Sequence, residues 1–182
     1  MDEQAHGAAD ERDRRLWAPW RMSYIKDPKR TAPRPAEPTC FLCDYAADPA
    51  GDVENRVILR SGTVFAVLNR FPYNNGHVLV APLAHKASVV DLDDEELLDS
   101  MRVIRRLVSV MTTMLNAAGF NVGLNLGSVA GAGVPGHLHW HIVPRWPGDS
   151  NFMDVVGETH VIPQSLDTLY EMLTETLRND AG

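Results

Sequence analysis

GHLHWHIVPRW, residues 136–146, sets His137, His139 and His141 at every second position, with Leu138, Trp140 and Ile142 between them. A period of two is the signature of an extended strand. The three imidazoles then share one face while the apolar residues turn to a core. That is the pattern of an antiparallel sheet covered on one side. Same-face neighbours on a strand lie about 6.6–6.8 Å apart, so the outer two histidines are roughly 13 Å apart at the backbone. One metal ion cannot comfortably take all three, although a His-x-His pair could share one. A histidine-rich exposed strand without a role is the plain alternative. Against it, three of the seven histidines of the chain fall within five residues. The loop leading in, GSVAGAGVPG (127–136), also carries four glycines and two alanines. Small residues let backbone N–H groups approach an anion closely. Imidazoles beside an amide-rich loop suit phosphorus chemistry: one ring attacks, its neighbours donate hydrogen bonds, and the loop cradles non-bridging oxygens.

Working outward, VILR (57–60) and TVFAVLN (63–69) read as strands split by Ser61-Gly62. After the turn cluster FPYNNG (71–76), HVLVAP (77–82) reads as a third strand, paired with the second as an antiparallel hairpin. DLDDEELLDSMRVIRRLVSVMTTMLNAAGF (91–120) holds the clearest helix, with Leu97, Met101, Ile104, Leu107, Val108, Met111, Met114 and Leu115 at spacings of three and four. Acidic residues crowd its start and Gly119 follows its end as a C-cap. NVGLNL (121–126) is a further strand, and SLDTLYEMLTETLR (165–178) a closing amphipathic helix. Hairpin strands, one long helix, a C-terminal helix and no βαβ alternation define an α+β fold with an antiparallel sheet.

A chain of 182 residues with 45% hydrophobic content suits one soluble globular domain. The net charge of −7 argues against nucleic acid or an anionic membrane as partner, so a phosphate-bearing ligand needs a local site. Residues 1–15 are polar and without periodicity and read as a disordered tail rather than a secretory signal, which makes a cytoplasmic location the expectation. LWAPWRMSYI (16–25) is aromatic-rich, and with the proline-rich connector after it forms an N-terminal docking segment, 16–38, on a single domain running to 182. Its two tryptophans and the one-sided sheet suggest a homodimer or higher homo-oligomer.

The sequence resembles the histidine-triad (HIT) family. His137-Leu-His139-Trp-His141-Ile-Val143 fits that family's alternating motif, FAVLNRFPYNNGHVLVAP (65–82) is similar to its nucleoside-binding half, and NLGSVAGAG (125–133) to its phosphate loop. LWAPWRMSYI, CFLC (40–43) and PRWPGDSNFMDVVGETHVIP (144–163) resemble a bacterial branch that cleaves dinucleoside polyphosphates. The resemblance implies a HIT-like fold over residues 16–178 and a nucleotidyltransferase with His139 as nucleophile. It would attack an α-phosphorus and form a nucleotidyl-histidine intermediate. His141 would hydrogen-bond the α-phosphate and the departing oxygen, Asn69 the ribose, and Asn125 the phosphate region. Strand 63–69 and its loop would wall the base.

The second step decides the activity. Inorganic phosphate as co-substrate gives phosphorolysis of diadenosine tetraphosphate to ATP and ADP. Water gives a hydrolase releasing ATP and AMP, and a nucleoside phosphoramidate hydrolase is a further alternative. Phosphate needs charge-assisted donors. The candidates are Arg145, Gly127, Ser128 and the Gly131-Ala132-Gly133 amides. Some hydrolytic relatives carry glutamine four residues before the first histidine, where this chain has Gly133. Trp146 either stacks on a purine or packs internally.

Cys40 and Cys43 are the only cysteines. They read as a redox pair, as half of a zinc site, or as two small buried thiols. The surroundings show neither a clear strand nor a helix start for the redox reading. HIT relatives with zinc imply a ligand set of Cys40, Cys43, His85 and His137, with His77 as a reserve ligand or as a partner orienting another imidazole. Such a closed site would be structural, leaving no cofactor in the chemistry. A nucleotide-binding protein with a dead site is disfavoured by the presence of His139. A metal phosphodiesterase is disfavoured by the lack of Asp or Glu in the histidine strand.

Overall fold

The computed structural model describes residues 40–149 and 162–180, all within one compact unit. The expectations for the tail at 1–15, the docking segment 16–38 and the stretch 150–161 lie outside them. Five strands form one antiparallel sheet: β1 (Val57–Arg60), β2 (Val64–Leu68), β3 (Val78–Pro82), β4 (Gly119–Leu124) and β5 (Trp140–Arg145). Their order is β1-β2-β3-β5-β4. The expected β2/β3 hairpin is present, in unbroken register from Val64 against Pro82 to Leu68 against Val78. The histidine strand is inserted between β3 and β4, so His141 lies across from Leu79 on one side and Gly123 on the other.

One face of the sheet is covered by two helices, α3 (Asp94–Met114) and α4 (Leu166–Asn179). Val64, Ala66 and Leu68 of β2, Val78 and Val80 of β3 and Ile142 of β5 pack there against Val103, Ile104, Leu107, Val110 and Met111 of α3, and Leu169, Leu173 and Leu177 of α4. Each fully buried side chain of this kind contributes about 1.5–3 kcal/mol. The start of α3 follows from its acidic run. The Asp93 carboxylate accepts the Glu96 N–H at 2.8 Å, and the Glu96 carboxylate accepts the Asp93 N–H at 2.9 Å. Two details depart from the sequence reading. Met101 is 43% exposed, because the buried stripe runs through Ser100, Val103 and Val110 instead. The helix ends at Leu115 and Asn116, not at Gly119: Asn116 takes the left-handed turn at φ 51°, which asparagine tolerates, and Gly119 opens β4.

The sheet is not one-sided. Phe65, Val67, Leu79 and Ala81 form a second core with Val57 and Leu42, the last from a short helix, α1 (Phe41–Ala47). A four-residue helix, α2 (Asp52–Asn55), follows. Arg60 of β1 donates from its guanidinium to the carbonyls of Tyr45 at 2.6 Å and Ala46 at 3.2 Å. It also pairs with Asp52, so it satisfies the C-terminal end of α1 with a compensated cation. Beyond α1 no described helix covers this second face over β5, and the histidines lie there. Among the described residues no helix is long and apolar enough to cross a membrane.

Candidate functional site

The three histidines occupy two neighbouring sites on the α1 side of the sheet. His137 and His139 precede the regular ladder, which begins at Trp140. His137 is fully buried, and its Nε2–H donates to the Pro82 carbonyl at 2.9 Å. That bond leaves the Nδ1 lone pair facing two sulfurs, Cys40 Sγ at 3.3 Å and Cys43 Sγ at 3.4 Å. His85 Nδ1 lies 3.1 Å from Cys43 Sγ. All four donor atoms fall within 4.8 Å of one another.

These four residues could hold a metal ion. Two sulfurs and two imidazole nitrogens are the donor set of a closed tetrahedral zinc site. A ligating histidine whose other nitrogen is tied to a carbonyl is how such rings are oriented. Burial and the neighbouring Cys40 push the Cys43 thiol up to about 11, so a cation would have to displace its proton on binding. The sequence reading found no helix start at the cysteines. The structure places Cys40 at the N-cap of α1, because the seven-residue helix is docked by Leu42 and Arg60 rather than announced by periodicity.

The second site is a cleft of about 470 Å³ lined by His139 and His141, by Gly131, Gly133 and Val134 of the loop, and by side chains of α1 and the β2–β3 connection. His139 Nδ1–H donates to the His137 carbonyl at 2.9 Å, which leaves Nε2 with the free lone pair. The His141 ring stands 5.0 Å from it, edge to face. His141 is oriented by a chain of donors. The Tyr73 backbone N–H donates to His77 Nδ1 at 3.1 Å, and Asn69 Nδ2 donates to the same nitrogen at 3.2 Å. His77 must therefore carry its proton on Nε2, which donates to His141 Nδ1 at 3.0 Å. His141 in turn keeps its proton on Nε2, a buried atom without a partner among the described residues. A buried donor left unpaired is costly unless something arrives to accept from it. Burial, with His141 and His139 nearby, lowers His77 to about 3, and burial with His139 lowers His141 to about 4. Both rings are thus neutral near pH 7, and His141 offers an uncharged N–H. Tyr73 stacks on His141 at 5.7 Å between ring centres.

Asn69, Gly131 and Gly133 share the cleft with His139 and His141. The Asn69 amide already serves the chain: Oδ1 accepts the Phe71 N–H at 3.0 Å, and Nδ2 serves His77. Gly127, Ser128 and Ala132 shape the loop without lining the cleft. Gly127 and Gly131 hold positive φ of 79° and 91°, and the Ala132 N–H donates to the Gly127 carbonyl. Asn125 is half-buried just past β4, away from the lining. Arg145 and Trp146 do not line this cleft. The Arg145 guanidinium is spent on Asp149 and on Asn121 Oδ1 at 2.9 Å. Trp146 donates from Nε1 to the Leu115 carbonyl at 3.1 Å and lines a different cavity, beside Met114 and Met172. Both lie at the far end of β5, beyond the histidines. Arg70 and Tyr73, in the loop after strand 63–69, lie on the cleft wall, and so do Phe41 and Tyr45, which the sequence reading missed. In the structure Phe71 is 83% and Phe41 38% exposed, and both converge on this cleft.

A HIT-domain signature matches residues 50–148, and the chain belongs to the HIT family. It is 40% identical over 171 residues to the AP-4-A phosphorylase of Mycobacterium tuberculosis, covering 90% of this chain and 85% of that one. It is 26% identical over 147 residues to an adenosine 5'-monophosphoramidase of Saccharomyces cerevisiae, across 75% and 88% of the two chains. Among solved structures it resembles a Zn-bound histidine triad family protein from Mycobacterium smegmatis. That match has a TM-score of 0.64 and 25% identity over 79% of this chain and 96% of the other.

Proposed function

We propose that this chain is a nucleotidyltransferase that splits diadenosine tetraphosphate by phosphorolysis into ATP and ADP. The observation that carries the reading is the free Nε2 lone pair of His139 beside the unpartnered Nε2–H of His141, both in a glycine-lined cleft. His139 Nε2 bonds the α-phosphorus of one adenylate while the bond to the bridging oxygen breaks, and ATP leaves. The neutral His141 N–H steadies the departing oxygen. Phosphate oxygen then attacks the same phosphorus, the P–N bond breaks, and ADP leaves with His139 restored. Phosphate as the acceptor is favoured by the 40% identity to a phosphorylase.

Arg70, exposed at the rim of the cleft, is the cation we assign to phosphate in place of Arg145, with the Gly131 and Gly133 amides. Phe41, Tyr45, Phe71 and Leu79 supply apolar walls for adenine. Zinc is the metal we assign to Cys40, Cys43, His85 and His137. It would contribute folding free energy and no step of the reaction. A homodimer in the cytoplasm completes the proposal; for the dimer, β4 is an edge strand among the described residues, and Val122 on it is exposed.

Incubation with diadenosine tetraphosphate, with and without phosphate, tests the reading. ATP plus ADP formed only with phosphate supports it, and ATP plus AMP regardless of phosphate makes the protein a hydrolase. His139→Ala should lose several powers of ten in rate. Turnover that survives the substitution removes His139 as nucleophile.

A further inference from the structure

The two cysteines and the aromatic wall of the cleft lie on one turn of chain. Cys40 and Cys43 bracket Phe41, and Tyr45 follows one helical turn later, its ring edge-on to Phe41 at 5.2 Å. Both rings line the cleft that holds His139 and His141. A seven-residue helix has no stability of its own. Its C-terminal end is held by Arg60, and Leu42, its second residue, anchors the first turn in the second core. The same turn, where Phe41 sits, is tied a second time by the contacts of the two sulfurs with His85 and His137. The same cluster reaches the nucleophile by a second route, because the carbonyl of His137 accepts the Nδ1–H of His139.

We propose that the Cys40, Cys43, His85 and His137 cluster, when metal-bound, sets the affinity of the cleft for an adenine nucleotide by fixing Phe41 and Tyr45 as the wall against the base. A metal held by Cys43, two residues from each ring along α1, restricts the rings to the conformation that meets a planar base, and a pre-ordered wall saves the cost of ordering on binding. The metal supplies no chemistry in this scheme. It acts on binding through Phe41 and Tyr45, which are positioning partners of the base. The inference uses the adenine-nucleotide part of the proposed function and does not depend on the acceptor of the second step.

Linkage makes the idea testable from both sides, because the factor by which metal tightens nucleotide is the factor by which nucleotide tightens metal. AMP binding is measured calorimetrically on zinc-loaded protein and on protein stripped with a chelator. The expected weakening on stripping is about 5-fold or more, the lower end of ordinary coupling between sites. The Phe41→Ala/Tyr45→Ala double variant should bind AMP weakly in both states and lose the metal dependence. Zinc transfer from the loaded protein to a chromophoric chelator, with and without saturating AMP, reads the reciprocal effect even if stripped protein unfolds. Equal AMP affinity in folded loaded and stripped protein overturns the inference. So does zinc retention indifferent to AMP, or a double variant that keeps the full metal dependence. AMP that binds neither form overturns it together with the nucleotide reading. Failure of phosphorolysis alone leaves these binding measurements standing.

Discussion

His77 is 1% exposed, and folding lowers its pKa to about 3. Its ordinary value is about 6.5. Between those two values the unfolded chain binds a proton that the folded chain refuses, so stability falls as pH falls. The contribution is fully present above about pH 6.5 and is lost progressively toward pH 3. At pH 5 the unfolded imidazole is almost fully charged. Integrating 1.36 kcal/mol per pH unit over the interval gives a loss of about 2 kcal/mol relative to pH 8 from this residue alone. His141 is lowered in the same sense but is less enclosed, so its share is smaller after solvent screening. For a chain of this size, about 2 kcal/mol corresponds to roughly 4–8 °C in Tm.

The measurement is thermal unfolding at pH 8 and pH 5 for the natural chain and for His77→Gln, which keeps a hydrogen-bonding amide and cannot titrate. Subtracting the variant removes the carboxylates and the Cys/His cluster, which titrate alike in both proteins. The drop in Tm from pH 8 to pH 5 should be smaller in the variant by roughly 4–8 °C. Equal drops in the two proteins would refute the claim that His77 is held neutral by burial.

Arg70→Ala should raise the KM for phosphate about tenfold or more, as expected for a lost hydrogen bond to a charged group, whereas Arg145→Ala should leave it unchanged. The reverse result would return the anion site to Arg145. Gly76 holds a φ of 76°, and a Cβ there would meet Leu115 Cδ1 at 2.8 Å and Pro144 Cγ at 3.0 Å. Gly76→Ala should therefore cost about 1–3 kcal/mol in urea unfolding, and an unshifted midpoint would contradict that packing. Leu173 is fully buried between α4 and the sheet, and Leu173→Ala should cost about 2–5 kcal/mol. A loss below 1 kcal/mol would mean that the site collapses around the smaller residue (about one methylene of burial).

The elements legible in the sequence were those with a strong period. The strands at 57–60, 63–69 and 77–82 and the long helix lie within a few residues of their expected places, because alternation and the 3.6-residue stripe survive folding. The alternating histidines gave the shared face, while the regular ladder begins only at Trp140 and the Leu138 N–H donates to the Lys86 carbonyl instead. The second core was written in the uninterrupted apolar runs VFAVL and VLVAP, whose ten residues are all buried. Runs of that kind mark strands covered on both faces, which the one-sided reading passed over. Helix α1 was hidden because seven residues carry no period and its anchors, Arg60 and Leu42, act through tertiary contact. The surroundings of Arg145 were hidden for a similar reason. A cation beside histidines invites an anion, and only the fold shows the Asp149 carboxylate already on it.

The amide of Tyr73 belongs to the main chain, and no side-chain replacement short of proline can delete it. Evolution can therefore exchange the ring at 73, altering what lies over His141, while the direction in which protons are presented across the two imidazoles stays the same. One donor that sets the proton order of His77 and His141 is thus main chain, while the ring stacked on His141 is open to replacement.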